Sequence, residues 1–243
     1  MNSKVLIEEF KKLVKETLKD DLNKSGTVLY SNYYTLKVGK LYILGFNPGG
    51  DPNSKLLKEQ TIDKDLENPE KWDRNYSEYT QKWGNYEPGK DPLQRSIRFL
   101  VEDVFNLPIN EVCASNLIFI RSKSESELGN WKEIAEKHWK IHQKIINEIV
   151  KPQIIITFGL ETFHFVLEKL SYDLGFFFPA EWGNWKIKAA VNRKLFNKPM
   201  LIFGFPHFSR YKLVPASDSP NGLGERERAV KERITEIIKI AGI

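Results

Sequence analysis

The polar and apolar positions of the chain follow two rhythms. Over residues 4–20, Leu6, Phe10, Leu13, Val14 and Leu18 recur at three- and four-residue steps, which predicts an amphipathic helix. From Tyr33 the rhythm changes. The stretch YYTLKVGKLYILGF predicts two strands joined by a hairpin at Val38-Gly39-Lys40. Its second half, Leu41 to Phe46, is almost wholly apolar, as expected of a strand buried on both faces. Helical spacing returns from about Pro92 to Phe105, with Leu93, Ile97, Leu100, Val101 and Val104 on one face. EVCASNLIFI then predicts a strand, and residues 130–150 a helix that turns Ile134, Ile141, Ile145, Ile146 and Ile149 inward. PQIIITFG predicts a third buried strand, with Gly159 opening the helix LETFHFVLEKL. WKIKAAVNRKLFNKPMLIFGFPHFSR begins with a hairpin and continues into a fourth buried strand, Met200 to Phe205. A helix from about Gly224 to Ala241 buries Val230, Ile234, Ile237 and Ile238.

Strands followed by helices four times over predict an α/β fold. The expected form is a single three-layer domain over 1–243: a four-stranded parallel central sheet with helices on both faces. Residues 51–92 break the pattern. They are polar, punctuated by Pro and Gly, and carry Trp72, Tyr76, Tyr79, Trp83 and Tyr86. A connection this long reads as a functional loop insertion.

Composition narrows the classes. With 243 residues, 41% of them hydrophobic, the chain can bury a full core. No apolar run approaches the roughly 20 residues needed to span a bilayer. The first residues mix apolar and charged positions, unlike a signal peptide. A cytoplasmic protein with no membrane partner is expected. The one cysteine, Cys113, excludes an internal disulfide, a Cys-rich zinc site and an iron–sulfur cluster, and reads as a small buried residue. A net charge of +5 is compatible with a polyanionic partner.

In open α/β sheets the ligand sits at the carboxyl ends of the strands. That rule selects Asn47-Pro48-Gly49-Gly50, Asn116 with its flank, Phe158-Gly159, and Pro206-His207-Phe208-Ser209-Arg210. In GFNPGG, Pro48 fixes its own φ, the glycines admit close approach, and Asn47 offers two donors and an acceptor. An ordinary strand-end turn has the same composition. Neither a P-loop nor a dinucleotide fingerprint is present. His207 could donate to an anion developing on a leaving group, Ser209 could hold a phosphate, and Arg210 could grip a nucleic-acid backbone. A histidine at a surface turn is the plainer reading. Asn116 needs partners inside a buried strand, from neighbouring backbone or from a ligand. His138 and His142, four residues apart on a helix, lack a third metal ligand and read as solvent-facing or core-edge residues. His164 reads as packed. The Lys/Glu runs near 11–24 and 225–233 read as solvated helix faces.

Taken in order, these motifs resemble those of the uracil-DNA glycosylase superfamily over roughly residues 36–240. GFNPGG resembles the first motif of its mismatch-specific and single-strand-selective branches. SNLIFI falls where the family carries a base-reading Asn, IIITFGLETF resembles the third strand and its helix, and FPHFSR resembles the His-containing third motif. Phe208 and Arg210 stand where that motif has prolines, and Asn47 stands where the most active branch has Asp. The resemblance implies a monomeric glycosylase that flips uracil or a related damaged base out of DNA and hydrolyses its glycosidic bond, with no metal or organic cofactor. It implies Asn47 and His207 as catalytic residues. Base binding would fall to Gly45, Phe46 and Asn116, with Tyr76, Tyr79 and Trp83 as stacking candidates. DNA binding would fall to Gly49, Ser209, Arg210, Tyr211 and Lys212. Two alternatives remain: an inactive relative that binds nucleic acid or a protein, and an unrelated α/β enzyme acting on a small anionic ligand.

Overall fold

The computed structural model describes residues 3–179, 186–193, 198–214 and 224–243. The chain is α/β, and its described strands form one mixed sheet. These are β1 (Leu41–Gly45), β2 (Cys113–Asn116), β3 (Ile154–Phe158), β4 (Leu174–Pro179), β5 (Lys186–Asn192) and β6 (Met200–Phe205). Their order is β2-β1-β3-β6-β5-β4. The first four in that order run parallel, while β5 pairs antiparallel with both β6 and β4. The sheet therefore has six strands where four parallel ones were expected. The apolar periodicity of the parallel core was legible; the antiparallel extension at its edge was read only as a hairpin.

The helices are α1 (Ser3–Thr17), the short α2 (Ile62–Leu66), α3 (Pro92–Arg98), α4 (Trp131–Lys144), α5 (Leu160–Leu170) and α6 (Glu225–Ala241). Two cores show that both sheet faces are covered. On one face Tyr42, Leu44, Ile155 and Ile202 meet Phe10 and Val14 of α1, Ile141 of α4 and Phe163 of α5. On the other, Ile43, Ile156, Leu201 and Phe203 meet Ile97 of α3 and Val230, Ile234 and Ile237 of α6. Strict alternation along β1, β3 and β6 sends successive side chains to opposite cores, which is why these strands read as unbroken apolar runs. Asp91 caps α3 through a reciprocal capping box with Gln94, so that helix starts at Pro92. Both α3 and α4 widen into π-helical turns at their ends, over Phe99–Val104 and Ile145–Ile149.

The hairpin expected at Val38-Gly39-Lys40 is not formed. Tyr33–Thr35 is a 3₁₀ turn capped by the Asn32 side chain, which accepts from the Tyr34 amide. β1 already has parallel partners on both sides, so no edge is left for an antiparallel neighbour. The histidine expectations also change. His138 and His142 are fully buried. His138 Nδ1 accepts from the Phe119 amide, and His142 bridges the Tyr42 hydroxyl and the Leu117 carbonyl. They tie α4 to the sheet. His164, by contrast, is exposed on α5, 3.3 Å from the Lys188 ammonium. Lys11 is buried as well, reaching Glu67 at 3.0 Å, so the 11–24 run is not simply a solvated face. Cys113 is buried as expected, and burial pushes its thiol up to about 12.

The 51–92 insertion is built rather than loose. Besides α2 it contains two 3₁₀ turns, Pro69–Trp72 and Glu78–Thr80. Lys71 is fully buried and binds Asp65 at 2.5 Å, and the other Asp65 oxygen accepts from the Val28 amide. Asn32 Nδ2 donates to the carbonyls of Arg74 and Tyr76, holding the far side. The insertion is thus pinned along the carboxyl end of the sheet. Among the described residues, no helix is long and apolar enough to cross a membrane.

Candidate functional site

A cleft of about 1450 Å³ opens at the carboxyl ends of the parallel strands. Asn47, Asn116, Phe158 and His207, each from a different strand end, line one wall, and the insertion supplies Tyr76, Glu78 and Trp83. The four segments selected by the strand-end rule thus all contribute to this cleft.

Asn116 ends β2 opposite Gly45 of β1 in the parallel register. Its side chain crosses directly over Gly45: a Cβ there would lie 2.1 Å from Asn116 Oδ1 and 2.6 Å from the Phe158 ring. Gly45 is thus required by close approach and lies beneath the cleft wall. Asn116 is 3% exposed, and its Nδ2 has no hydrogen-bond partner. The phenol of Tyr30 is the polar neighbour of this amide, without reaching hydrogen-bonding geometry with Nδ2. Such a donor costs of order 1–3 kcal/mol while unsatisfied. A ligand acceptor removes that cost.

Asn47 is held differently. Its Nδ2 donates to Ser122 Oγ at 2.8 Å, to the Pro48 carbonyl at 3.0 Å and, more weakly, to the Ile120 carbonyl at 3.3 Å. Ser122 in turn donates to the Ser124 carbonyl at 2.8 Å, which leaves its lone pairs for Asn47. Since carbonyls only accept, the NH₂ end of Asn47 is fixed toward the protein. The Oδ1 end is left as the acceptor for whatever enters the cleft. The Ser122 amide also donates to the Pro48 carbonyl at 3.1 Å, zipping the loop after β2 to the first-motif turn.

His207 follows β6. Its Nδ1 lies 2.8 Å from Ser209 Oγ and accepts, at 3.4 Å, from the Ser209 amide. Because a backbone N–H can only donate, the neutral ring carries its proton on Nε2. Burial pulls the imidazole pKa below its usual value, and the Arg210 charge adds to the shift, so the ring is neutral at neutral pH. Phe208 is fully buried and stacks on Phe158 at 5.9 Å. It seats the turn that carries His207, whose ring packs edge-on to Phe158 at 5.7 Å.

The remaining expected residues divide. Phe46, Gly49, Tyr76, Trp83, Ser209, Arg210 and Tyr211 line the cleft. Tyr79 does not; it is buried behind Tyr30, 5.9 Å away ring to ring, with its hydroxyl unpartnered. Lys212 also lies outside the cleft wall, on the exposed segment after the turn. Sequence reasoning missed Tyr30, Glu78, Arg121 and Ser122. Tyr30 stands in an unremarkable stretch, and its phenol is pushed far up by burial and by the Glu78 charge. Glu78 receives the Tyr76 hydroxyl at 2.5 Å and the Trp83 indole at 3.4 Å, so one carboxylate orders two aromatic walls. Arg121 and Ser122 follow the apolar run LIFI directly, the signal that could have found them.

The cleft is not uniformly basic. On the insertion side Glu59, Asp65 and Glu67 are neutralised by Lys64, Lys71 and the Lys11–Lys15 pair. Arg121, Lys123 and Arg210 also line the cleft, with Lys123 engaged by Asp51 at 3.0 Å. No protein-family model matches the chain, and no curated protein matches it significantly.

Proposed function

We propose that the chain is a uracil-DNA glycosylase-like enzyme that hydrolyses the N-glycosidic bond of uracil, or of a related damaged base, in DNA. The observation that carries this reading is the unpartnered, buried amide of Asn116 facing a cleft that it shares with Asn47 and His207. An extruded uracil fits the donors on offer. Its O4 would accept from Asn116 Nδ2, while cytosine would set its N4 amino group against that same donor. Its O2 would accept from His207 Nε2–H.

The chemistry follows from the fixed amide orientation of Asn47 and the tautomer of His207. As the C1′–N1 bond breaks, its electron pair moves onto the base, and charge accumulates at N1 and O2. The His207 N–H is a preorganised donor to that charge, and being neutral it need not surrender its proton. The sugar becomes oxocarbenium-like, and water held through its hydrogen bond to Asn47 Oδ1 adds to C1′. The water oxygen and one hydrogen stay on the sugar, and the second proton goes to solvent or to the departing base. Asn47 orients the water and does not deprotonate it, since an amide has no useful basicity. Phe46, Phe158, Tyr30 and Tyr76 supply aromatic surface for the base.

The test is product analysis. Purified protein is incubated with oligonucleotides holding uracil or hypoxanthine, single- and double-stranded, and abasic sites are read by alkaline cleavage. Cleavage at one of these bases is the expected result. DNA binding with no abasic product would favour the inactive, nucleic-acid-binding alternative.

A further inference from the structure

We infer that Arg121 is a phosphate-binding residue at the rim of this cleft, gripping the phosphodiester next to the extruded nucleotide; the DNA half of that statement rests on the proposed glycosylase reading.

Three contacts fix the guanidinium. Nε donates to Ser25 Oγ at 3.2 Å, Nη1 to the Gly49 carbonyl at 2.5 Å and Nη2 to Gln60 Oε1 at 3.4 Å. All three acceptors are neutral. Among the described residues Arg121 makes no ion pair, unlike its neighbours Lys123 and Lys64, which are spent on Asp51 and Glu59. A guanidinium has five N–H donors in a rigid fork. Two therefore remain, on a half-buried side chain that lines the cleft. Holding such a cation in place with neutral oxygens preorganises it for an incoming anion, and a phosphate suits the fork.

The surroundings fit that ligand. The amides of Gly49 and Gly50 meet no acceptor among the described residues. A Cβ on Gly49 would touch nothing within 4 Å, whereas one on Gly50 would lie 3.8 Å from Arg121 Nη1 and 2.7 Å from Leu57, so the turn is open at Gly49 and closed at Gly50. The Arg121 charge is felt at the Tyr30 phenol, which itself neighbours Asn116. The cation lines the same cleft as the amide proposed to read the base, so one bound nucleotide can meet both, at its phosphate and at its base.

The phosphate could belong to a DNA strand or to a free nucleotide, and two probes separate these sources. The first is a single-stranded oligonucleotide, with binding followed by fluorescence anisotropy across salt concentrations for wild type, Arg121→Gln and Arg121→Lys. Loss of one phosphate contact should reduce the slope of log K against log salt by about 0.7 in Arg121→Gln, with affinity falling several-fold and Arg121→Lys intermediate. Loosening of the Gly49 turn alone would weaken binding without changing the slope, and an unchanged slope overturns the DNA contact. The second probe is deoxyuridine monophosphate against deoxyuridine, by calorimetry. If the monophosphate binds wild type more tightly than the nucleoside, and Arg121→Gln erases the difference, the phosphate site stands. Should that hold while wild type fails to bind the oligonucleotide, the site stands and the DNA reading falls. If neither probe responds to Arg121→Gln, or wild type binds neither, the phosphate site is overturned.

Discussion

The site depends on which way two amides face. Asn116 presents a donor because its Nδ2, beside the Tyr30 phenol, completes no hydrogen bond within the fold, whereas Asn47 presents an acceptor because its NH₂ is clamped. Ser122 is the clamp. Replacing it with Ala removes the acceptor at 2.8 Å and lets the Asn47 amide rotate. The expected outcome in steady-state kinetics is a fall in kcat of about 10- to 100-fold, with KM little changed and Ser122→Thr largely restored. In an Asn47→Ala background Ser122→Ala should cost nothing further; an undiminished cost there would make Ser122 a merely structural residue. Asn47, Asn116 and His207 were legible in the sequence because polar groups at the ends of apolar strands stand out. Ser122 follows an apolar run too, but its role as a clamp comes from a contact across 75 residues of chain, and Tyr30 carries no such signal at all. Gly45 was legible only through resemblance; its physical necessity appears once Asn116 is seen lying across it.

At the level of elements, the parallel strands could be read from their apolar runs, and most of the helices from their spacing. The first hairpin could not, because YYTL has strand-like composition while Asn32 caps it into a 3₁₀ turn. Nor was the order inside the 51–92 insertion visible. It is fixed by buried polar groups rather than by an apolar period, above all the Lys71–Asp65 pair. Removing one member leaves the other charge buried without its partner. Lys71→Ala should therefore destabilise the chain by about 3–5 kcal/mol in urea denaturation. It should also raise amide exchange across 61–80, since Asp65 holds the Val28 amide that joins the insertion to the fold. A cost below about 1 kcal/mol would mean that the insertion is held by its apolar contacts instead.

Across the whole molecule, buried neutral His142 contributes to acid sensitivity. Burial holds His142 down to about 3, against 6.5 for a free side chain. Around it stand the Tyr42 hydroxyl, the Leu117 carbonyl, the Phe119 and Trp139 rings, and His138, whose own pKa burial also lowers. Between pH 3 and 6.5 the unfolded chain binds a proton at this residue that the folded chain refuses. This contribution to stability is complete above about pH 6.5 and is lost as pH falls toward 3, at up to about 1.4 kcal/mol per pH unit. Urea midpoints measured between pH 7 and 4 should fall less steeply in His142→Gln than in wild type, by about one proton's worth; equal slopes would contradict the assignment.

The central claim is that one cleft brings Asn47, Asn116 and His207 together to excise uracil. It is tested most directly by timing abasic-site formation in a uracil-containing single-stranded oligonucleotide with wild type, Asn116→Ala and His207→Ala. Excision by wild type, reduced at least about 100-fold in each variant while the fold is retained, is the predicted result. No abasic product from wild type, or undiminished excision by both variants, would contradict the account.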